Sequence, residues 1–309
     1  MDQRISFPRV ARTSWLLSTA FILFGVQASW AQTQTVTDDF EDGEWQFIHN
    51  WPKSSHNVDK QWRQPSGGSK NGLWSESMKR GQPDYIKRVE TPAGGLPGSK
   101  GALLMRTLYS GIPDAKTGGY QQDDLIFNAA QQNGIVPVGR NPTTVVRVYV
   151  PPWKKWEQRT GTTFGFRTAV DSTTYERKRG FLSIRRVRKA ETLYPGMFVQ
   201  FNCKADGAEK DSAILIVRAD TQGQDFFGPA IKPGWWTLGM SFSGDGRIHY
   251  YARAGVKPLT AADRFASEFP WGQKMERFST IFFNVCNSNS GRSWSTPWII
   301  DDPTVSYTR

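Results

Sequence analysis

The sequence predicts an all-β protein, an antiparallel β-sandwich of the jelly-roll kind with very little helix. Three observations lead there. From Thr143 onward, short apolar runs follow one another at regular spacing. Most of them alternate apolar and polar side chains with a period of two. Turn clusters such as Asp206-Gly207 and Lys232-Pro233-Gly234 separate them, and such chains form sandwiches.

One stretch fixes a register. Trp236, Leu238, Met240 and Phe242 alternate with Trp235, Thr237, Gly239 and Ser241. Ile248, Tyr250 and Ala252 then alternate with Arg247, His249, Tyr251 and Arg253. The apolar sets share a face when Phe242 lies opposite Ile248, with Gly244-Asp245-Gly246 as a three-residue loop. A glycine at either end of that loop can supply a positive φ. The other face carries Trp235, Thr237, His249, Tyr251 and Arg253, residue types suited to contacting sugars.

The chain opens with Arg4, Arg9 and Arg12, a short apolar run from Trp15 to Val26, and Ser29-Trp30-Ala31. That is the pattern of a secretory signal peptide cut near Ala31. The alternative, a membrane anchor, needs roughly 20 apolar residues. The expectation is an exported protein, extracellular or periplasmic, with no membrane span and a single domain over 32–309.

Val36 to Ile48 opens the fold. Residues 50–101 read as a long decorated loop with at most one short strand and isolated aromatics Trp51, Trp62, Trp74 and Tyr85. Ala102–Thr107 is a compact strand. Residues 110–140 are loop-rich again, with a helical turn near Ile126 to Gln131. Strands follow at Thr143–Val150, Phe164–Val170, Phe181–Val187, Met197–Lys204, Ser212–Ala219, Trp235–Ser243, Arg247–Arg253, Arg277–Cys286 and Trp298–Tyr307. Thr260-Ala261-Ala262-Asp263 reads as a capped short helix.

The chain of 309 residues carries a net charge of +11, which becomes +9 without the three arginines and Asp2 of the leader. A basic exported protein meets acidic polysaccharide or anionic lipid; plain solubility is the competing explanation. Export and the lack of a nucleic-acid motif argue against nucleic acid. The two cysteines, Cys203 and Cys286, end apolar runs and fit either a cross-sheet disulfide or two buried thiols. With three scattered histidines they exclude the usual zinc spacings. Nothing in the sequence reports oligomeric state.

Three places carry a family resemblance: Asp38-Asp39-Phe40-Glu41, Gly98-Ser99-Lys100-Gly101-Ala102-Leu103, and the pairing of Trp236 and Asp245–Tyr251 with Ile299-Ile300-Asp301-Asp302. In these the chain resembles the concanavalin A-like and laminin-G-like jelly rolls, which include carbohydrate-binding modules and polysaccharide lyases. The resemblance implies architecture first, because one fold hosts many activities. The Glu-x-Asp-x-x-Glu strand of related glycoside hydrolases and the Arg-x-Glu and Gln-x-His strands of alginate lyases are absent from the sequence. In the resembling domains the first and last strands pair. That would gather Asp39, Glu41, Asp301 and Asp302, where a structural Ca²⁺ is one expectation and hydrogen-bonded turn acids are the other. No other cofactor is required.

Alternation turns Arg147, Tyr149, Arg167, Gln200, Asn202, Trp235, His249, Tyr251 and Arg253 away from the core. If their strands share one sheet, they form one surface fit for an acidic glycan. Arginine pairs bidentately with carboxylate or sulfate, and tryptophan stacks on a sugar ring. Ordinary solvent-side residues are the competing reading. The expected function is therefore binding of an extracellular, anionic polysaccharide.

The alternative is a lyase on the same face. Arg167 and Gln200 would neutralise the uronate carboxylate, and His249 and Tyr251 would move protons. A hydrolase would need paired carboxylates. The acids Asp123, Asp124, Glu157, Asp171 and Glu176 read mostly as loop or turn residues. Two basic runs, Arg177-Lys178-Arg179 and Arg185–Lys189, suit a polyanion or serve as edge charges against aggregation.

Overall fold

The computed structural model describes residues 32–112, 121–179, 184–218 and 225–309. The signal-peptide expectation lies outside the described residues, as does the 181–183 portion of one expected strand.

Strands form where the alternation is cleanest. In chain order they are β1 (Thr33–Thr37), β2 (Phe47–Ile48), β3 (Gly68–Ser69), β4 (Trp74–Glu76), β5 (Tyr85–Glu90), β6 (Gly101–Arg106), β7 (Gln121–Phe127), β8 (Val136–Pro137), β9 (Thr143–Val150) and β10 (Gly161–Arg179). The remainder are β11 (Ile184–Leu193), β12 (Gly196–Asn202), β13 (Ser212–Arg218), β14 (Asp225–Ile231), β15 (Gly234–Phe242), β16 (Ile248–Ala254), β17 (Arg264–Glu268), β18 (Arg277–Asn287) and β19 (Trp298–Thr308).

They build two antiparallel sheets. Sheet A runs β17-β16-β15-β9-β19-β6-β5, with β1 also on β19. Sheet B runs β14-β13-β12-β10-β18-β7-β4-β3-β2, with β11 on β10 and β8 on β18. The expected all-β sandwich is what forms. First and last strands do pair, from Thr33 opposite Thr308 to Thr37 opposite Thr304. The anchoring hairpin has Phe242 opposite Ile248, and Gly246 takes φ +88°.

The core is the slab between the inner faces. Sheet A contributes Val146, Val148, Val150, Leu238, Met240 and Phe242, all buried; sheet B contributes Phe164, Phe166, Val199, Phe201 and Phe283. Phe164 of β10 stacks on Trp298 of β19 with ring centroids 4.7 Å apart, tying the sheets together. Each such side chain stabilises the fold by roughly 1.5–3 kcal/mol through burial.

Several expectations needed correction. Residues 50–101 hold three strands rather than one, and Asp38–Glu41 is a loop rather than the first strand. Asp38 holds that loop region by accepting from the indole N–H groups of Trp45 and Trp74, at 3.1 and 2.7 Å. Asp123 and Asp124 lie on β7, and Asp171 and Glu176 on β10, not in loops. The short helix over Ala261–Asp263 has the full Thr260/Asp263 capping box. The helical turn expected near 126–131 is an α-helix over Ala129–Asn133. Both cysteines are free and buried.

Candidate functional site

The two sheets divide the residues selected from the sequence. Arg167 on β10 and Gln200 and Asn202 on β12 face outward from sheet B. Arg147 and Tyr149 on β9, Trp235 on β15, and His249, Tyr251 and Arg253 on β16 face outward from sheet A. The core separates the sets, so the single surface expected from the sequence does not form. A proton relay joining His249 and Tyr251 to Arg167 and Gln200 is corrected with it.

On sheet B, register brings together groups that are far apart in sequence. Arg167 lies opposite Phe282, which lies opposite Ile126. One rung along, Phe198, Gly165, Asn284 and Asp124 line up across β12, β10, β18 and β7. Gly165 is required here, because a Cβ would meet Asn284 Oδ1 at 2.8 Å and the Phe198 ring at 2.9 Å.

The Arg167 guanidinium lies 5.2 Å from the Phe198 ring and 5.1 Å from that of Phe282. It donates to the Tyr194 carbonyl and to Asn284 Oδ1. Burial lowers its pKa to about 10, with Asp124 opposing the shift. Asn284 in turn donates to Asp124, whose carboxyl burial pushes up while Arg80 and Arg167 pull it down. Arg80 lies 3.8 Å from Asp124, and Lys79 lies over the Tyr194 ring at 5.3 Å. Lys79, Arg80, Asp124, Arg167 and Tyr194 line a cavity of about 400 Å³. The size suits one or two sugar rings.

Sequence reading missed Lys79, Arg80, Tyr194 and Asn284, and read Asp124 as a loop or turn acid. The polar run Gln121-Gln122-Asp123-Asp124 conceals a strand, and Lys79 and Arg80 lie in the turn after β4. The alternation of Asp124 and Ile126 against Leu125 and Phe127 was the available signal.

Gln200 accepts from Thr162 Oγ1 at 3.3 Å, and Asn202 is half-buried at the far end of β12. On sheet A, Trp235 is buried, donates to the Pro92 carbonyl and packs on Tyr149 with centroids 5.4 Å apart. Its ring is therefore covered rather than offered to a sugar. His249 is bonded to Ser267 and Ser243; burial first, then Arg264, lowers its pKa. Arg253 is tied to Asp263 at 3.5 Å.

Among the four expected calcium ligands, Glu41 accepts from the Lys100 and Gly101 amides, which hold its pKa down. Asp39 accepts from the Glu41 amide, and Asp301 accepts from Ser99 Oγ at 2.9 Å. Among the described residues no three His, Cys, Asp or Glu side chains group as a metal site.

No family model and no curated protein matches the chain. Solved structures do. A carbohydrate esterase from a Shiga toxin-encoding bacteriophage is 14% identical with a TM-score of 0.41, over 78% of this chain and 92% of its own. Peanut lectin is 8% identical with a TM-score of 0.41, over 90% and 98%. An endo-β-1,4-glucuronan lyase from the fungus Trichoderma reesei is 10% identical with a TM-score of 0.36, over 86% and 95%. At such identities and TM-scores these likenesses carry no argument about the chemistry of this chain. The chain is an all-β sandwich whose outer sheet B face carries a cationic, aromatic groove.

Proposed function

We propose that the protein is an exported glycan-binding sandwich that holds an extracellular, acidic polysaccharide in the sheet B groove. One observation carries the reading: Lys79 and Arg80 sit at a cavity whose wall is Tyr194 and whose floor is a fixed, aromatic-clamped Arg167. Aromatic faces accept the apolar side of a sugar ring, and the cations at the lip accept its carboxylate or sulfate. Arg167 sets the positive field but uses its donors on Tyr194 and Asn284, so Lys79 and Arg80 make the contacts.

The β10/β11 hairpin adds charge. Its register sets Arg177 opposite Arg186 and Lys178 opposite Arg185. Export rests on the leader pattern of residues 1–31.

Affinity electrophoresis through gels containing alginate, pectate, glucuronan, heparin or a neutral glucan tests the reading. Retardation by an acidic glycan, weakening with salt, is expected. The double variant K79A/R80A should bind about tenfold more weakly, ~1.4 kcal/mol. No retardation by any acidic glycan overturns the reading.

A lyase in the same groove is the second reading, favoured by the position of Tyr194. Its ring lies 5.3 Å from Lys79 Nζ and 6.0 Å from the Arg167 guanidinium, which places its hydroxyl on the wall of the groove beside the cations that would hold a uronate. Ultraviolet absorbance of unsaturated product, lost in Y194F, selects it. H249A and Y251F should leave that activity unchanged.

A further inference from the structure

A second cavity, about 540 Å³, lies over the outer face of sheet A, on the other side of the core from the groove. Its floor is β9, β15 and β16, and the segment Pro258–Ala261 forms one wall. Leu259 packs so closely that a Cβ on Gly239 would meet its Cδ1 at 2.4 Å. Hydroxyls of Thr143, Ser241, Tyr251 and Thr304 line the space. Ser241 Oγ and Tyr251 Oη lie 3.2 Å apart.

Arg147 also lines this cavity, and its position is unusual. Its Nε is buried with no hydrogen-bond partner, and no hydrogen bond or close ion pair holds the guanidinium, although its charge reaches Asp302 on β19 and holds that carboxyl down against burial. Other arginines of the two outer faces are tied down: Arg167 on Tyr194, Arg159 on Glu157, Arg253 on Asp263. A buried donor without an acceptor costs about 1–3 kcal/mol. An oxyanion entering the cavity would remove that cost and match the planar fork of donors.

We infer that the sheet A cavity is an independent binding site for an oxyanion-bearing sugar unit, with Arg147 holding the carboxylate or sulfate and the Tyr251–Ser241 pair meeting a ring hydroxyl. The oxyanion class stands on Arg147 alone; the sugar class rests on the glycan reading above. Val145 and Leu259 supply an apolar side to the space, and the surrounding hydroxyls supply donors and acceptors, the combination a hydrated ring needs.

Titration calorimetry at low salt tests this with glucuronate, glucose 6-sulfate and glucose as probes. The K79A/R80A protein is used throughout, so that failure in the groove does not touch the result. Saturable one-to-one binding of glucuronate or glucose 6-sulfate, with none for glucose, is expected, and the stronger of the two identifies the anionic group. R147Q should weaken that binding at least tenfold, and Y251F about threefold; a cooperative thermal melt of each variant checks that it is folded. Binding by R147Q equal to the parent, or no saturable binding of either anionic sugar, overturns the assignment.

Discussion

The Lys53 ammonium lies 2.6 Å from the Asp123 carboxylate, and neither side chain reaches solvent. The same ammonium lies 2.9 Å from Asp84 and donates to the Tyr109 carbonyl at 2.9 Å. One buried cation therefore serves two carboxylates, which also accept from Thr107, Gln121 and the Leu108 and Tyr109 amides. Burial pushes Asp123 up to about 7, against the pull of Lys53.

This asymmetry makes the two partners unequal on mutation. K53M strands two buried carboxylates and should cost about 3–5 kcal/mol. D123N leaves Lys53 with Asp84 and Tyr109 and should cost about 1 kcal/mol, the usual value for a point change. Urea denaturation of the two variants measures the difference; equal losses would show that the lysine does not organise the cluster.

The acids at the β19 bend should tilt stability with pH. Burial, reinforced by Asp302 and Glu41 and opposed by Ser99, raises Asp301 to about 6 from an ordinary value of 3.8. Between those values the folded state keeps a proton that the unfolded chain releases. The contribution of this group is therefore full below about pH 4 and is lost as pH rises through about 6. D301N should melt with a flatter pH dependence over that interval. A chelator distinguishes the two expectations for these acids: a lower melting temperature supports a structural Ca²⁺, and an unchanged one supports hydrogen-bonded turn acids.

Gly165 should be the position where the groove is most easily damaged without touching a charge. In G165A the new methyl meets Asn284 Oδ1 and the Phe198 ring below 3.0 Å. Overpacking of this kind costs about 1–3 kcal/mol. Because Asn284 and Phe198 position Arg167, affinity for acidic glycan should fall as well, by about tenfold, ~1.4 kcal/mol. Unchanged gel retardation would separate the clamp from binding.

The architecture was legible because strands such as Thr143–Val150 and Trp235–Phe242 bury one face and expose the other, and that period is written directly in side-chain polarity. Short strands such as Phe47–Ile48 and Gly68–Ser69 have too few residues to show a period. The site was only half legible. Alternation tells which way Arg147 and Arg167 point from their own strands. It does not say which strands are neighbours, and sheet membership is set by crossovers between segments far apart in sequence. Asp124 shows the same limit: its partner Asn284 stands 160 residues away.

The two thiols carry a practical corollary. Cys203 turns into the slab between the sheets, while Cys286 turns to the outer side of sheet B, where burial lifts its thiol to about 12. No covalent staple holds the polypeptide, so it should fold as well in a reducing bacterial cytosol as after export. Dithiothreitol should not shift its thermal midpoint, and alkylating reagents should label the native molecule slowly at both positions.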